Sequence, residues 1–317
     1  MATLAPSSAP KELAAFLDEM RALVDHDLAR RLAPPAEDPG RLVEAMHYAA
    51  TGPGKRLRPA IVLAAAEACG GAREAALPAA CALEMLHAYT LVHDDLPAMD
   101  DDDMRRGRPT VHIAFGEAIA ILAGDGLLTA AFGTLAELGP NCAPAVRVLA
   151  QRSGSAELLA GQAIDLAYAR AGSISQPADE VELIDIEQRT TRTSSPLTDS
   201  TRVTDTALEL VPARTLDEIE YMHAAKTGAL FAAAGELGAI SAGAPAATVA
   251  ALGRYGMAIG IAFQHADDRD DAELLEHASA AAERMRTLCT QARAEIAPLG
   301  PRGRHLDAIA AWILARA

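Results

Sequence analysis

The sequence predicts an all-α protein built as one large helical domain. Three observations carry that prediction. Alanine dominates a chain that is 50% hydrophobic but only 3% aromatic, and Ala, Leu, Arg and Glu are strong helix formers. Apolar residues recur at helical spacing nearly throughout, whereas Val, Ile and aromatic residues rarely alternate with polar ones as a half-buried strand requires. Gly and Pro punctuate the joins, as at Pro34-Pro35, Gly52-Pro53-Gly54, Gly139-Pro140 and Gly300-Pro301. At 317 residues the chain has ample length for a large core.

In chain order, periodicity places helices at 11–32, 41–50, 58–69 and 76–93. The last of these runs through CALEMLHAYTLVH, apolar enough to be core, before Pro97 perturbs it. A helix at 115–138 holds the most apolar long stretch; Asp125 interrupts it and Glu117 and Glu137 flank it, so it reads as a core helix and not a membrane span. Helices at 143–169, 216–241, 247–271, 273–297 and about 305–316 complete the set. Between 171 and 213 the chain is rich in Ser, Thr, Asp and Pro and includes RTTRTSSPLTDSTRVTD. That composition buries little, so the segment reads as a surface insertion within the single domain spanning 1–317.

Composition also excludes classes of function. A net charge of −15 argues against a nucleic-acid partner and against attachment to an anionic membrane. Cys69, Cys81, Cys142 and Cys289 form no CxxC pair and read as reduced thiols. MATLAPSSAPKELAAFLDEM shows no basic segment followed by an apolar one, so a cytoplasmic location is expected.

One stretch resists a structural explanation. LVHDDLPAMDDDDMRRG places six aspartates between positions 94 and 103, directly after an apolar run. Two unit charges ~4 Å apart repel by roughly 4 kcal/mol at an effective dielectric of ~20, so either water or a strong positive charge must stand among them. A solvated acidic helix end is the plain reading of a charge run. Against it, the cluster follows a buried helix without polar transition, and Arg105-Arg106 follow at once. Carboxylates beside guanidinium groups suit a cleft that holds an anion through Mg2+, which bridges oxygens from both sides. The glycine and closing glutamate of a calcium loop are missing. MAIGIAFQHADDRDDAE repeats the pattern: Asp267 and Asp271 are four apart, which on a helix puts their Cβ atoms about 6 Å apart on one face, with Asp268 beside them. One DDxxD is a weak signal. Two on separate apolar helices point to a diphosphate clamped by three metal ions.

The chain has only three lysines, Lys11, Lys55 and Lys226. Lys11 reads as a surface residue. Lys55 lies in GPGKRLRP, which gathers Lys55, Arg56 and Arg58 in a loop suited to phosphate, though without Walker spacing. Lys226 lies in HAAKTGAL on an otherwise apolar helix; a compact ammonium beside Thr227 and Gly228 suits a polar cavity better than snorkelling to solvent.

Taken together, these motifs resemble the trans-prenyltransferase family, the head-to-tail isoprenyl diphosphate synthases. GKRLRP at 54–59, HAYTLVHDDLPAMDDDDMRRGRPT at 87–110, FGEAIAILAGDGLL at 115–128, GQAIDL at 161–166, KTGAL at 226–230 and FQHADDRDD at 263–271 occur in the family's order. The resemblance implies an isoprenoid-synthase-type helical domain around a deep cavity, usually a homodimer. It implies that Asp94, Asp95 and Asp100 with Asp267, Asp268 and Asp271 hold three Mg2+ ions on an allylic diphosphate, helped by Arg105. Lys55, Arg58, His87 and Arg106 would hold isopentenyl diphosphate. Lys226, Thr227 and Gln264 would lie near the departing diphosphate and the developing cation. Ionisation of the allylic C–O bond, attack by the isopentenyl double bond and proton loss need no protein nucleophile. Tyr89, five residues before Asp94, would face the cavity as a floor, and the two extra residues in DDLPAMD resemble the bacterial short-chain type. Both favour a C15 product over C20.

Two departures from the family pattern stand out. DDRDDAELLEHASAAAERMRTL passes into helix without the family's lysine-bearing loop, and Arg269 is the candidate substitute cation. The insertion at 171–213 replaces a short connection. A class I terpene cyclase would mix Asn, Ser/Thr and Glu in its second motif and lack GKRLRP. A non-catalytic homologue would be expected to lose an aspartate cluster, and an acidic scaffold leaves GKRLRP and KTGAL unexplained.

Overall fold

The computed structural model describes residues 10–173, 216–270 and 278–316. Among these, helices form in the order α1 (Lys11–Arg31), α2 (Leu42–Ala50), α3 (Leu57–Ala68), α4 (Arg73–Asp94), α5 (Val111–Phe115), α6 (Glu117–Leu135), α7 (Cys142–Ser153), α8 (Leu158–Ser173), α9 (Leu216–His223), α10 (Ala229–Ser241), α11 (Ala246–Asp270), α12 (Ala278–Ile296) and α13 (Arg304–Leu314). The all-α expectation is met. The chain is arranged around α10, whose residues from Ala229 to Ile240 are all buried. A helix apolar on every side must be covered on every side, and α3, α4, α7 and α11 pack against it. Ala and Gly make up most of α10; such small side chains let neighbouring helices approach closely, which explains how a core so poor in aromatic residues closes.

Two predicted helices are divided and a third changes its winding part-way. The segment at 115–138 splits at Gly116, whose φ of +89° ends the short α5, and its last turn is a 3-10 helix over Ala136–Asn141. The segment at 143–169 is two helices, because Gly154 takes an extended conformation (ψ −173°) after Ser153. The segment at 216–241 is continuous but contains a π-helical turn over Ala224–Gly228. A small hairpin was also not predicted: β1 (Met104–Arg105) pairs antiparallel with β2 (Arg108–Pro109) around Arg106 and Gly107, both at positive φ. Two positive-φ residues at a two-residue turn match the twist of paired strands. The predicted insertion from 174 onward and residues 271–277 lie outside the described residues.

Three helical stretches are long and apolar enough to cross a membrane by length and composition, yet they differ in burial. The window in α4 is 61% buried, against 39% in the stretch that begins with α6. The outward face of α6 carries Ile121 and Leu122, 45% and 49% exposed.

Candidate active site

A cavity of about 420 Å³ opens beside the C-terminal end of α4, lined among others by Arg58, His87, Tyr89, Asp94, Gln162 and Lys226. Its acidic side begins where α4 stops. Asp94 is the last residue of that helix. Burial pushes its carboxyl up to about 6; Asp100 and Asp95 add to the rise, and Lys226 and Arg105 oppose it. The chain then turns back on the helix end, with the Asp100 backbone N–H donating to the Asp94 carbonyl (2.8 Å). Asp95 is buried and accepts from Arg105 Nε (2.6 Å), yet burial still holds its carboxyl above the ordinary value. Arg105 also donates to Asp102 at 3.2 Å, so the exposed half of the cluster helps to hold an arginine in place.

The second cluster is built differently. Asp267 faces Lys55, with Nζ and Oδ1 3.9 Å apart. Asp268 is buried; Gln264 Nε2 donates to its Oδ1 at 2.8 Å. Thr227 Oγ1 in turn donates to Gln264 Oε1 at 3.1 Å. Burial alone would raise the Asp268 carboxyl, but His223, Gln264 and His265 outweigh it and its pKa is lowered. Of the three predicted neighbours of the departing group, Lys226 and Thr227 line the cavity, and Gln264 ties Thr227 to Asp268. Asp271 lies outside the described residues.

Lys226 lies on the π-helical turn, a feature frequent at functional sites. Its Nζ donates to Asp165 Oδ2 at 2.7 Å, and its charge acts on Asp94. Asp165 was missed in the sequence, although GQAIDL was singled out; an acid in an otherwise apolar stretch was the available signal. Gly161 makes the contact possible, because a Cβ there would lie 2.7 Å from the Lys226 backbone nitrogen.

Opposite stands a basic wall. Arg58 Nη1 donates to His87 Nε2 (3.2 Å) and its guanidinium lies over the Phe231 ring, 4.9 Å from the centroid. Burial lowers Arg58 to about 10; Glu84 pulls the other way and Arg106 adds to the fall. His87 is driven well below its ordinary value by burial, then by Arg58 and Arg106, and is neutral. Arg106, held at positive φ by the hairpin, donates to the Pro53 carbonyl at 2.8 Å. A Cβ on Gly54 would meet Arg106 Nη1 at 2.8 Å, so this loop must pass the arginine without a side chain. The reading of GKRLRP as three phosphate-facing cations needs one correction. Arg56 is buried and donates to Asp25 (2.7 Å), Glu84 (2.5 Å) and the carbonyls of Ala50 and Gly52 (both 2.9 Å). Its φ of +48° turns it inward, and it braces the loop that presents Lys55 and Arg58.

One wall thus crowds cations and another crowds carboxylates. A polyanion relieves the first and a divalent cation the second. The raised carboxyl of Asp94 is the observation by which these residues fit Mg2+: a dication beside it removes both the repulsion and the desolvation penalty.

The sequence model of the polyprenyl synthetase family matches residues 39–278. The chain belongs to the polyprenyl synthetase family. It is 37% identical over 264 residues to a farnesyl diphosphate synthase of Geobacillus stearothermophilus, covering 81% of this chain and 75% of that one. Identity to a geranylgeranyl diphosphate synthase of Cyanophora paradoxa is 38% over 262 residues, covering 81% and 73%. The fold is similar to the apo structure of an FPP/GFPP synthase from Zymomonas mobilis, with a TM-score of 0.77, 35% identity and coverage of 96% and 99%. This polyprenyl synthetase is a prenyltransferase, a family whose substrates are isopentenyl diphosphate and an allylic diphosphate and whose trans-acting members generally use Mg2+.

Proposed function

We propose that this prenyltransferase joins isopentenyl diphosphate to dimethylallyl and then geranyl diphosphate, and stops at the C15 product, farnesyl diphosphate. One observation carries the chain-length reading. Tyr89 lines the cavity below Asp94, with its ring packed edge-on against His93 at 5.0 Å. His93 is in turn fixed, donating from Nε2 to the Ile121 carbonyl (3.1 Å). A braced aromatic ring is a floor that a growing chain meets and cannot push aside.

In this reading Asp94, Asp95, Asp100, Asp267, Asp268 and Asp271 hold three Mg2+ ions, with Arg105 assisting at the allylic diphosphate. Bound Mg2+ supplies the Lewis acidity that stabilises charge on the leaving diphosphate. Lys55, Arg58, Arg106 and neutral His87 bind the diphosphate of isopentenyl diphosphate and orient its double bond. Lys226 places a fixed ammonium where charge develops on the leaving group, which is worth most in a site withdrawn from water. Thr227, held through Gln264, lies beside it. The allylic C–O bond breaks, the isopentenyl double bond attacks the resulting cation, and the proton leaves to the released diphosphate.

Two further readings belong to this proposal. The protein pairs as a homodimer through α6, whose exposed Ile121 and Leu122 would otherwise face water. It works in the cytoplasm, which suits four free cysteines. The test is direct: incubate the protein with isopentenyl diphosphate, each allylic starter and Mg2+, and size the products. A main product of C15 is expected, and Tyr89→Ala should lengthen it to C20 or beyond. A main product of C20 from the unaltered protein overturns the floor.

A further inference from the structure

Among the described residues, only His223, His265 and Asp268 bring three candidate ligand atoms within 4.8 Å of one another. All three are buried, at 4%, 1% and 7% exposure. Buried polar atoms in folded proteins nearly always find partners. Here His223 Nδ1 and His265 Nδ1 each lack a hydrogen-bond partner. His223 Nε2 lies 3.1 Å from Asp268 Oδ2, and the two imidazole rings meet edge to face at 5.1 Å.

We propose that His223, His265 and Asp268 form a site for a divalent transition-metal ion, which shares Asp268 with the Mg2+ clamp but differs from it in its two imidazole donors. The surrounding groups are arranged as a metal site needs. The far nitrogen of His265, Nε2, is hydrogen-bonded to Glu220 Oε1 at 3.2 Å, and Glu220 is held by Arg284 Nε at 2.8 and 2.9 Å. That fixes the tautomer: the proton is on Nε2, the lone pair on Nδ1. A carboxylate behind a ligating histidine is the recurrent outer shell of zinc sites. Gln264 occupies Asp268 Oδ1 in the same manner and leaves Oδ2 to face His223. Ligands about 2.1 Å from a tetrahedral ion lie about 3.4 Å from one another. The His223–Asp268 separation of 3.1 Å is close to that edge. The widest separation, within 4.8 Å, is within reach of side-chain rotation. Two imidazoles favour Zn2+, Co2+ or similar ions over Mg2+, which prefers oxygen.

His265 lies within FQHADDRDD and takes no part in the proposed condensation chemistry. The site does not depend on product length, but it shares Asp268 with the proposed Mg2+ clamp, so it rests on that reading only at this one residue. It is tested on metal-stripped full-length protein without substrate, by equilibrium dialysis against Zn2+ in excess Mg2+ and by the visible spectrum on adding Co2+. One equivalent of Zn2+ and the bands of a tetrahedral Co2+ centre are expected. His265→Leu should abolish both, and Glu220→Gln should weaken Zn2+ binding by about 10–100-fold, while Asp94→Asn leaves binding in place. Circular dichroism checks that each variant is folded; should His265→Leu unfold, the wild-type stoichiometry and Glu220→Gln still decide. Failure of the wild type to take up Zn2+ in the presence of Mg2+ overturns the site. So does binding lost in Asp94→Asn but kept in His265→Leu, which would put the ion on the diphosphate clamp. A separate condensation assay with Mg2+ alone reports on the prenyltransferase reading and is indifferent to this result.

Discussion

Asp94 and Asp268 are the same residue type at the ends of two helices that both pack against α10, and they rest in opposite electrostatic states. Asp94 is pushed up to about 6, by burial first and by the neighbouring Asp100 and Asp95 against the pull of Lys226 and Arg105. Asp268 is buried as well, yet its pKa is lowered, because His223 and Gln264 stand against its oxygens. Burial therefore does not decide the state of a carboxylate; what faces it does. The first cluster leaves work for a cation from outside, and the second is braced by the protein itself. The basic wall shows the same contrast between Arg56, satisfied by two acids and two carbonyls, and Arg58, pushed down to about 10.

The largest expected effect tests the first half of that contrast. Asp94→Asn keeps the shape and removes the charge. Groups that stabilise developing charge in a transition state are worth about 10²–10³-fold in rate, so kcat for condensation at saturating Mg2+ should fall by that factor, measured by product formation with folding checked by circular dichroism. A fall of less than tenfold would mean that the first cluster is not where the cation is needed.

The second half predicts a smaller effect of another kind. Asp268→Asn leaves a buried site short of the charge that Gln264 and His223 oppose. Losing a buried hydrogen bond to a charged group costs about 1–3 kcal/mol, to be read as a lower urea midpoint at pH 7.5 in metal-free protein. Unchanged stability would show that the brace around Asp268 contributes nothing.

Much of this was readable from residue order, for reasons that also explain what was not. The helices were legible because small and straight-chain apolar residues recur at a period of 3.6. Their interruptions were not: a glycine in a helix costs only about 1 kcal/mol relative to alanine, so Gly116 and Gly154 do not announce which of them breaks. The π-helical turn leaves the apolar pattern around Lys226 unchanged, so only the scarcity of lysine marked the place. The aspartate clusters declared themselves by charge density. Asp165 did not, because a single acid on a helix usually faces water. Arg56 and Arg58 are two residues apart where a loop enters α3, and a guanidinium does not reveal whether its backbone turns inward; the positive φ of Arg56 does.

The last prediction concerns what the first cluster costs the fold. The carboxyl of Asp94 titrates at about 6 in the folded protein, against about 3.9 in an unfolded chain. The folded state therefore holds this proton more tightly than the unfolded state does. The stability it contributes is complete below the unfolded value and is lost as pH rises through about 6. At pH 7.5 the charged form burdens the metal-free fold, and Asp94→Asn, which cannot be charged, should relieve it. Asp94 is only half-buried and near a rim, so solvent screening reduces the effect to about 1 kcal/mol, or about 1–3 °C in Tm for a chain of this size. Thermal unfolding in chelator should show Asp94→Asn the more stable protein at pH 7.5, with the difference vanishing near pH 4. The opposite trend with pH would mean that Lys226 and Arg105 already neutralise Asp94. The contrast with Asp268 would then collapse, because both carboxylates would be satisfied by the protein before any metal arrived.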